Sequence, residues 1–206
     1  MNIFILNTGR CGSTTIMKAC EYIENFTAKH ESNFGEIGDV YPQNHIESDN
    51  RLSWFLGRLD SMYGNNAVYV HLYRDKIKVA QSYAKRTFKG GIFPAYRDGI
   101  LTDLQNVENI DVALDYLDTV NSNIDLFLKD KTNVVKLDID SPHLDFKKLW
   151  DMIDAEGDLK LALSEFDTPH NASKIRPSLF SMKSIEKALF KIGRLVRQFP
   201  SFIKYT

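Results

Sequence analysis

A chain of 206 residues, 43% hydrophobic and 26% charged, is long enough for one domain with a full core, and no stretch of it reaches the apolar length of a membrane span. Two cysteines cannot build a disulfide framework, which sets aside the small secreted scaffolds. The net charge of −1 hides an asymmetry: Lys174–Thr206 holds eight Lys or Arg and one acid, Glu186, for +7, while residues 1–173 carry 18 basic and 26 acidic residues, for −8.

The first residues, Asn2-Ile3-Phe4-Ile5-Leu6-Asn7, form a short apolar run of the kind that makes a buried parallel strand. No basic and apolar leader precedes it, and a cytoplasmic, reducing setting is expected. Thr8-Gly9-Arg10-Cys11-Gly12-Ser13-Thr14-Thr15 follows, and Ile16, Met17, Cys20 and Ile23 then recur at helical spacing. A strand, a tight turn and a helix N-terminus bring several backbone N–H groups to one point, where the helix dipole favours an anion. Gly9 and Gly12 let the backbone come close, Ser13, Thr14 and Thr15 supply hydroxyls, Arg10 adds a cation, and no acid occurs from Met1 to Cys20. The turn reads as a phosphate cradle. It is not a nucleotide P-loop of the usual kind, which has lysine after its last glycine where this chain has Ser13. A phosphatase-type cysteine loop would carry an arginine at the position of Met17.

A second strand is expected over Asn25–Lys29, with His30-Glu31-Ser32 at its end. Phe34–Asn50 reads as an irregular polar loop containing Tyr41, Pro42, His45 and Glu47. Helical period returns over Arg51–Tyr63 through Leu52, Phe55, Leu56, Leu59 and Met62, with Asp49 or Asn50 as cap. Ala67–Tyr73 is the next strand, and Asp75 can cap a helix starting at Lys76. Lys89–Gly99 reads as a surface loop or flap. A long amphipathic helix spans Val112–Leu128, a strand Asn133–Leu137 and a helix Asp145–Asp154. Asp138 and Asp140 are turn acids. The basic tail, with Ile185, Leu189, Ile192 and Val196 on one stripe, predicts a final helix docked on the core; its cationic face could otherwise meet an anionic acceptor or membrane surface. Alternating helices and short strands predict a single α/β domain over residues 1–206 built on a parallel sheet.

In such sheets, ligands bind beyond the carboxyl ends of the strands. The Ala67–Tyr73 strand ends in Arg74-Asp75-Lys76, and Lys78, Ser82 and Arg86 fall on one stripe of the helix that follows. Taken alone, this segment could hold a surface ion pair between Arg74 and Asp75 and a solvated Ser82.

Two segments together carry a resemblance. Arg10-Cys11-Gly12-Ser13-Thr14 resembles the 5′-phosphosulfate loop of the sulfotransferases, and Leu72–Arg86 resembles their 3′-phosphate motif, with Lys76 where many members have proline. The likeness covers the first hundred residues. It implies a three-layer, P-loop-type α/β fold and 3′-phosphoadenosine 5′-phosphosulfate as cofactor, with adenosine 3′,5′-bisphosphate as product and no metal. Arg10, Cys11, Gly12, Ser13, Thr14 and Thr15 would hold the 5′ end, Arg74 and Ser82 the 3′-phosphate, and Lys174 a late basic contact. Arg10 stands where the family has a loop lysine and would stabilise the leaving phosphate. Sulfotransferases use either glutamate or histidine as base, so Glu31 and then His30 are the candidates, with His45 and Glu47 as outsiders. The acceptor would be a hydroxyl or amine of a small molecule, glycan or lipid, and no nucleic-acid partner is expected. A kinase with an atypical P-loop, or a non-catalytic nucleotide-binding module, is the alternative.

Overall fold

The continuous apolar run at the N-terminus becomes the centre of the molecule. In a computed structural model that describes residues 1–32, 41–86, 91–102 and 104–168, β1 (Asn2–Leu6) is buried along its whole length. It pairs in parallel with β3 (His45–Ser48) on one side and β4 (Ala67–Tyr73) on the other. β2 (Thr27–His30) pairs in parallel with β3, and β5 (Val134–Asp138) with β4. The five-stranded sheet therefore has the order β2-β3-β1-β4-β5, all parallel. A sheet buried on both faces needs apolar side chains pointing both ways, which is what Ile3, Phe4, Ile5 and Leu6 provide.

Helices cover the two faces. α1 (Ser13–Cys20) packs against α7 (Leu159–Ser164), which also meets α6 (His143–Met152). On the other face α3 (Lys76–Ala84) packs on α5 (Asn109–Leu128), whose stripe Val112, Ala113, Tyr116, Leu117, Val120, Ile124 and Leu128 is buried. α2 (Leu56–Tyr63) leads into β4, and α4 (Ile92–Ala95) continues into a π-helical turn over Tyr96–Leu101. The chain leaves β1 toward β2 and leaves β4 toward β5, in opposite directions across the sheet. That divergence opens a crevice at the carboxyl ends of β1 and β4. Both anion-binding segments expected from the sequence start there.

Four elements differ from expectation. His45–Ser48 is a buried inner strand, not part of a loop. Its sequence has one apolar residue in four, so it carries no strand signal; its polar groups are satisfied inside the fold instead. Glu47 accepts from the Ser32 amide at 3.0 Å, from the Ser32 hydroxyl, and from His45 Nε2 at 3.1 Å, while His45 Nδ1 lies 2.7 Å from Thr27 Oγ1. β2 is displaced toward His30 because Asn25 is drawn off to residues 154–156, donating to the Asp154 carbonyl and accepting from the Glu156 amide. The helix expected over Arg51–Tyr63 breaks at Phe55 (φ −120°): a 3₁₀ turn, Asn50–Trp54, capped by Asp49, precedes α2. Of the expected stripe only Leu52 and Leu59 are buried, and Phe55 and Met62 are exposed. Residues 92–99 are helical, not a loop, because Phe93 and Tyr96 bury their rings against Tyr83 and Tyr116, with centroids 5.1 and 5.3 Å apart.

Among the described residues no helix is long and apolar enough to cross a membrane. Lys174 and the basic tail lie outside the described residues, as does much of the segment before Tyr41.

The Glu47 network sets a stability test. Glu47→Ala leaves His45 Nε2 and the Ser32 amide without their partner in a buried site, and should lower unfolding free energy by about 3 kcal/mol. Glu47→Gln should cost less. Urea denaturation of the three proteins measures both.

Candidate active site

The turn between β1 and α1 runs through Gly9 (φ 80°), Arg10 (φ 63°) and Gly12 (φ 88°), all in the left-handed region. Side-chain-bearing residues avoid that region at a cost of about 1 kcal/mol, so Arg10 must be held there by its surroundings. The restraints are visible. Asn7 Oδ1 accepts the Gly9 amide at 2.8 Å, and the Asn7 carbonyl accepts from Ser53 at 3.0 Å. The Thr8 carbonyl accepts two phenols, Tyr83 at 2.5 Å and Tyr116 at 2.9 Å. Burial pushes both phenols well above the usual tyrosine range, which keeps them protonated as donors. No side chain fits at the two glycines. A Cβ on Gly9 would strike Tyr83 Oη and Asn50 Nδ2, and one on Gly12 would strike the Ile139 side chain.

Gly12 is the N-cap of α1, with no side-chain cap and no acid in the first turn. The helix therefore presents its positive end uncompensated beside the hydroxyls of Ser13, Thr14 and Thr15. Cys11 is different from its neighbours. Its side chain is fully buried, and burial pushes the thiol up to about 12, so it belongs to the core and only its backbone can face a ligand.

The expected groups meet in part. Arg10 Nε donates to Ser82 Oγ at 3.1 Å, so the turn after β1 and the helix after β4 touch at their two polar candidates. At the end of β2, His30 Nε2 lies 3.0 Å from Ser13 Oγ. Glu31, held at φ 52° with its amide on the Ser48 carbonyl at 3.1 Å, stands beside it. A cleft of about 190 Å³ is lined by Arg10, Ser13, Thr14, His30, Glu31 and Arg86, with Gly9, Asn50, Tyr83 and Phe93 among the rest. A cleft of about 380 Å³ at the start of α5 is larger, but it contains none of the expected groups, and its Arg97 is tied to Asp98 and Asn109 at 2.6 and 3.2 Å. Chemistry, not volume, selects the smaller one.

Arg74 does not line that cleft. Nor does it pair with Asp75, whose carboxylate caps α3 by accepting the Lys78 amide at 2.8 Å. Arg74 Nε instead donates to Asp140 Oδ1 at 3.3 Å, and Lys78 Nζ donates to Asp140 Oδ2 at 3.0 Å. Partial burial works against ionisation of Asp140, yet Lys78 and Arg74 outweigh it and hold the carboxyl below its usual range. Of the expected stripe, Lys78 and Ser82 lie on α3 and reach Asp140 and Arg10, while Arg86 falls beyond the end of the helix and borders the cleft. Lys174 lies outside the described residues. Sequence reasoning missed Asn7 and Tyr83 and read Asp140 only as a turn acid; Tyr83 left a trace, as the hydroxylated member of the buried α3 face Val79, Ala80 and Tyr83, while Asn50, singled out in the sequence as a cap, is also at the cleft wall.

No family model matches this chain, and no curated protein matches it. Among solved structures it is similar to a sulfotransferase domain from the curacin biosynthetic pathway, with a TM-score of 0.59 and 13% identity over 84% of this chain and 80% of that one. At that identity the likeness is one of architecture: the chain has a sulfotransferase-like α/β fold.

Proposed function

We propose that the chain is a sulfotransferase using 3′-phosphoadenosine 5′-phosphosulfate. The observation that carries this reading is the 3.1 Å contact between Arg10 and Ser82, which joins the two anion-binding segments at one crevice. The donor set suits a phosphate with no lysine: an acid-free helix N-terminus, three hydroxyls and a guanidinium held in a strained turn. When bound, the nucleotide supplies a sulfuryl group on its 5′-phosphate that passes to an acceptor hydroxyl or amine.

The residues divide the work. Ser13, Thr14, Thr15 and the backbone of Cys11 and Gly12 fix the 5′-phosphate in line with the acceptor. Arg10 opposes the charge that develops on the phosphate oxygen as the sulfuryl group leaves, acting by electrostatics. Glu31, on the cleft wall, takes the acceptor's proton, and His30 orients the Ser13 hydroxyl. Ser82 and Lys78 on α3, with Arg74 just ahead of the helix, take the second phosphate, and Lys174 would add a further basic contact. The acceptor is a small molecule, glycan or lipid presenting a hydroxyl or amine at this cleft.

Calorimetry with adenosine 3′,5′-bisphosphate beside magnesium–ATP tests the cofactor class. Tight binding of the bisphosphate with weak or no binding of ATP is expected, and the reverse would point to a kinase. Arg10→Ala should lower kcat by about a hundredfold with a smaller effect on bisphosphate affinity. Arg10→Lys should restore much of the rate, read as bisphosphate released with phenol, alcohol and amine acceptors. Glu31→Gln should remove most of the turnover while nucleotide binding persists, and His30→Ala should cost less. If both variants turn over as fast as the parent, the proton acceptor lies elsewhere.

A further inference from the structure

Arg74, just after β4, and Lys78, in the first turn of α3, already share an anion. Asp140 sits on the turn after β5, one oxygen on Arg74 Nε at 3.3 Å and the other on Lys78 Nζ at 3.0 Å. Its position is fixed by main-chain contacts. The Asp140 amide donates to Asp138 Oδ1 at 3.0 Å, and the Ile139 amide donates to the Tyr73 carbonyl at 3.1 Å. Ile139 in turn occupies the space beneath Gly12, so this turn is keyed to the cradle itself. A carboxylate bridging an arginine and a lysine from the start of α3 has the shape of a phosphate contact, with one fewer oxygen and half the charge.

We propose that Asp140 is an internal surrogate for the second phosphate: it competes with the nucleotide for Arg74 and Lys78, and so sets how strongly a 3′-phosphate is favoured. The inference rests on the sulfotransferase reading. Under it, binding of the 3′-phosphate exchanges one anion for another at these cations, and the carboxylate must turn away to solvent. Asp140 is about one-third exposed, so that route is open. A nucleotide without a 3′-phosphate leaves the Asp140 pairs intact and gains nothing from their loss.

The test titrates the full chain, Asp140→Asn and Asp118→Asn with adenosine 3′,5′-bisphosphate and with adenosine 5′-monophosphate. Asp118 pairs with Lys76 at 2.6 Å and removes the same charge near α3 without touching Arg74 or Lys78. Two partly exposed ion pairs are worth a few-fold each, so Asp140→Asn should bind the bisphosphate about three- to tenfold more tightly. Its affinity for the monophosphate should not change, and Asp118→Asn should match the parent with both. Asp140→Ala gives the same comparison should the asparagine variant fold poorly. An unchanged or weaker bisphosphate affinity in the Asp140 variants overturns the proposal, because Asp140 would then merely position Arg74. An equal gain for the monophosphate, or the same gain from Asp118→Asn, also overturns it, since the effect would be diffuse electrostatics. If the parent chain binds neither nucleotide, the sulfotransferase reading falls and takes this one with it. A parent that binds the bisphosphate well, with Asp140 variants that bind it no better, removes the surrogate alone.

Discussion

Two buried phenols on one carbonyl hold the site in shape. The turn after β1 passes through three left-handed residues, one of them an arginine, and Tyr83 and Tyr116 both donate to Thr8 just before it. Without such a restraint the turn would relax toward cheaper backbone conformations. The restraint also sets the far side of the crevice. Tyr83 and Ser82 are neighbours on α3, so the helix that reaches inward to grip Thr8 delivers Ser82 to Arg10 two residues further along the turn. Packing in the core and placement of the polar groups are thus one event.

Charge is arranged more sharply than the overall balance suggests. The chain is nearly neutral, yet the α1 N-terminus, Arg10, Lys78 and Arg74 gather near the carboxyl ends of β1 and β4, and α1 adds no acid to its own first turn. Two acids of this region have different surroundings. Asp140 is committed to cations and held below the normal carboxylate range. Glu31 lines the cleft. On the proposed reading, the first would tune anion binding and the second would take the acceptor's proton.

What could be read in advance follows from how strongly each residue's neighbours in sequence determine its surroundings. β1 and β4 are continuous apolar runs, and their burial leaves no alternative. Asp75 caps α3 through a contact three residues away, which local sequence can specify. The tight turn from β1 into α1 was legible because glycine spacing and an acid-free helix start are local features. β3 was not, since a strand reading His-Ile-Glu-Ser is stable only when β1, β2 and Ser32 complete its bonding. The partner of Arg74 was equally hidden: Asp140 lies 66 residues away, brought alongside by the β4–β5 pairing. Cys11 looked like part of the ligand surface by position, and only the left-handed path of the turn sends its side chain into the core.

The candidate proton acceptor depends on the least legible part of the sheet. β2 is a four-residue edge strand with mostly exposed side chains, and such a strand has little burial of its own to stabilise it. It is held from beneath. Glu47, fully buried on β3, accepts from the Ser32 amide and hydroxyl directly after Glu31, while the Glu31 amide is tied to the Ser48 carbonyl. Glu31 is therefore pinned on both sides at a left-handed φ of 52°, a conformation glutamate would leave if either tie were absent. A group that must meet an acceptor's proton within hydrogen-bond reach gains from such rigidity, because small misplacements cost rate steeply. The buried carboxylate of β3 thus connects the stability of the sheet to the placement of the cleft's exposed one.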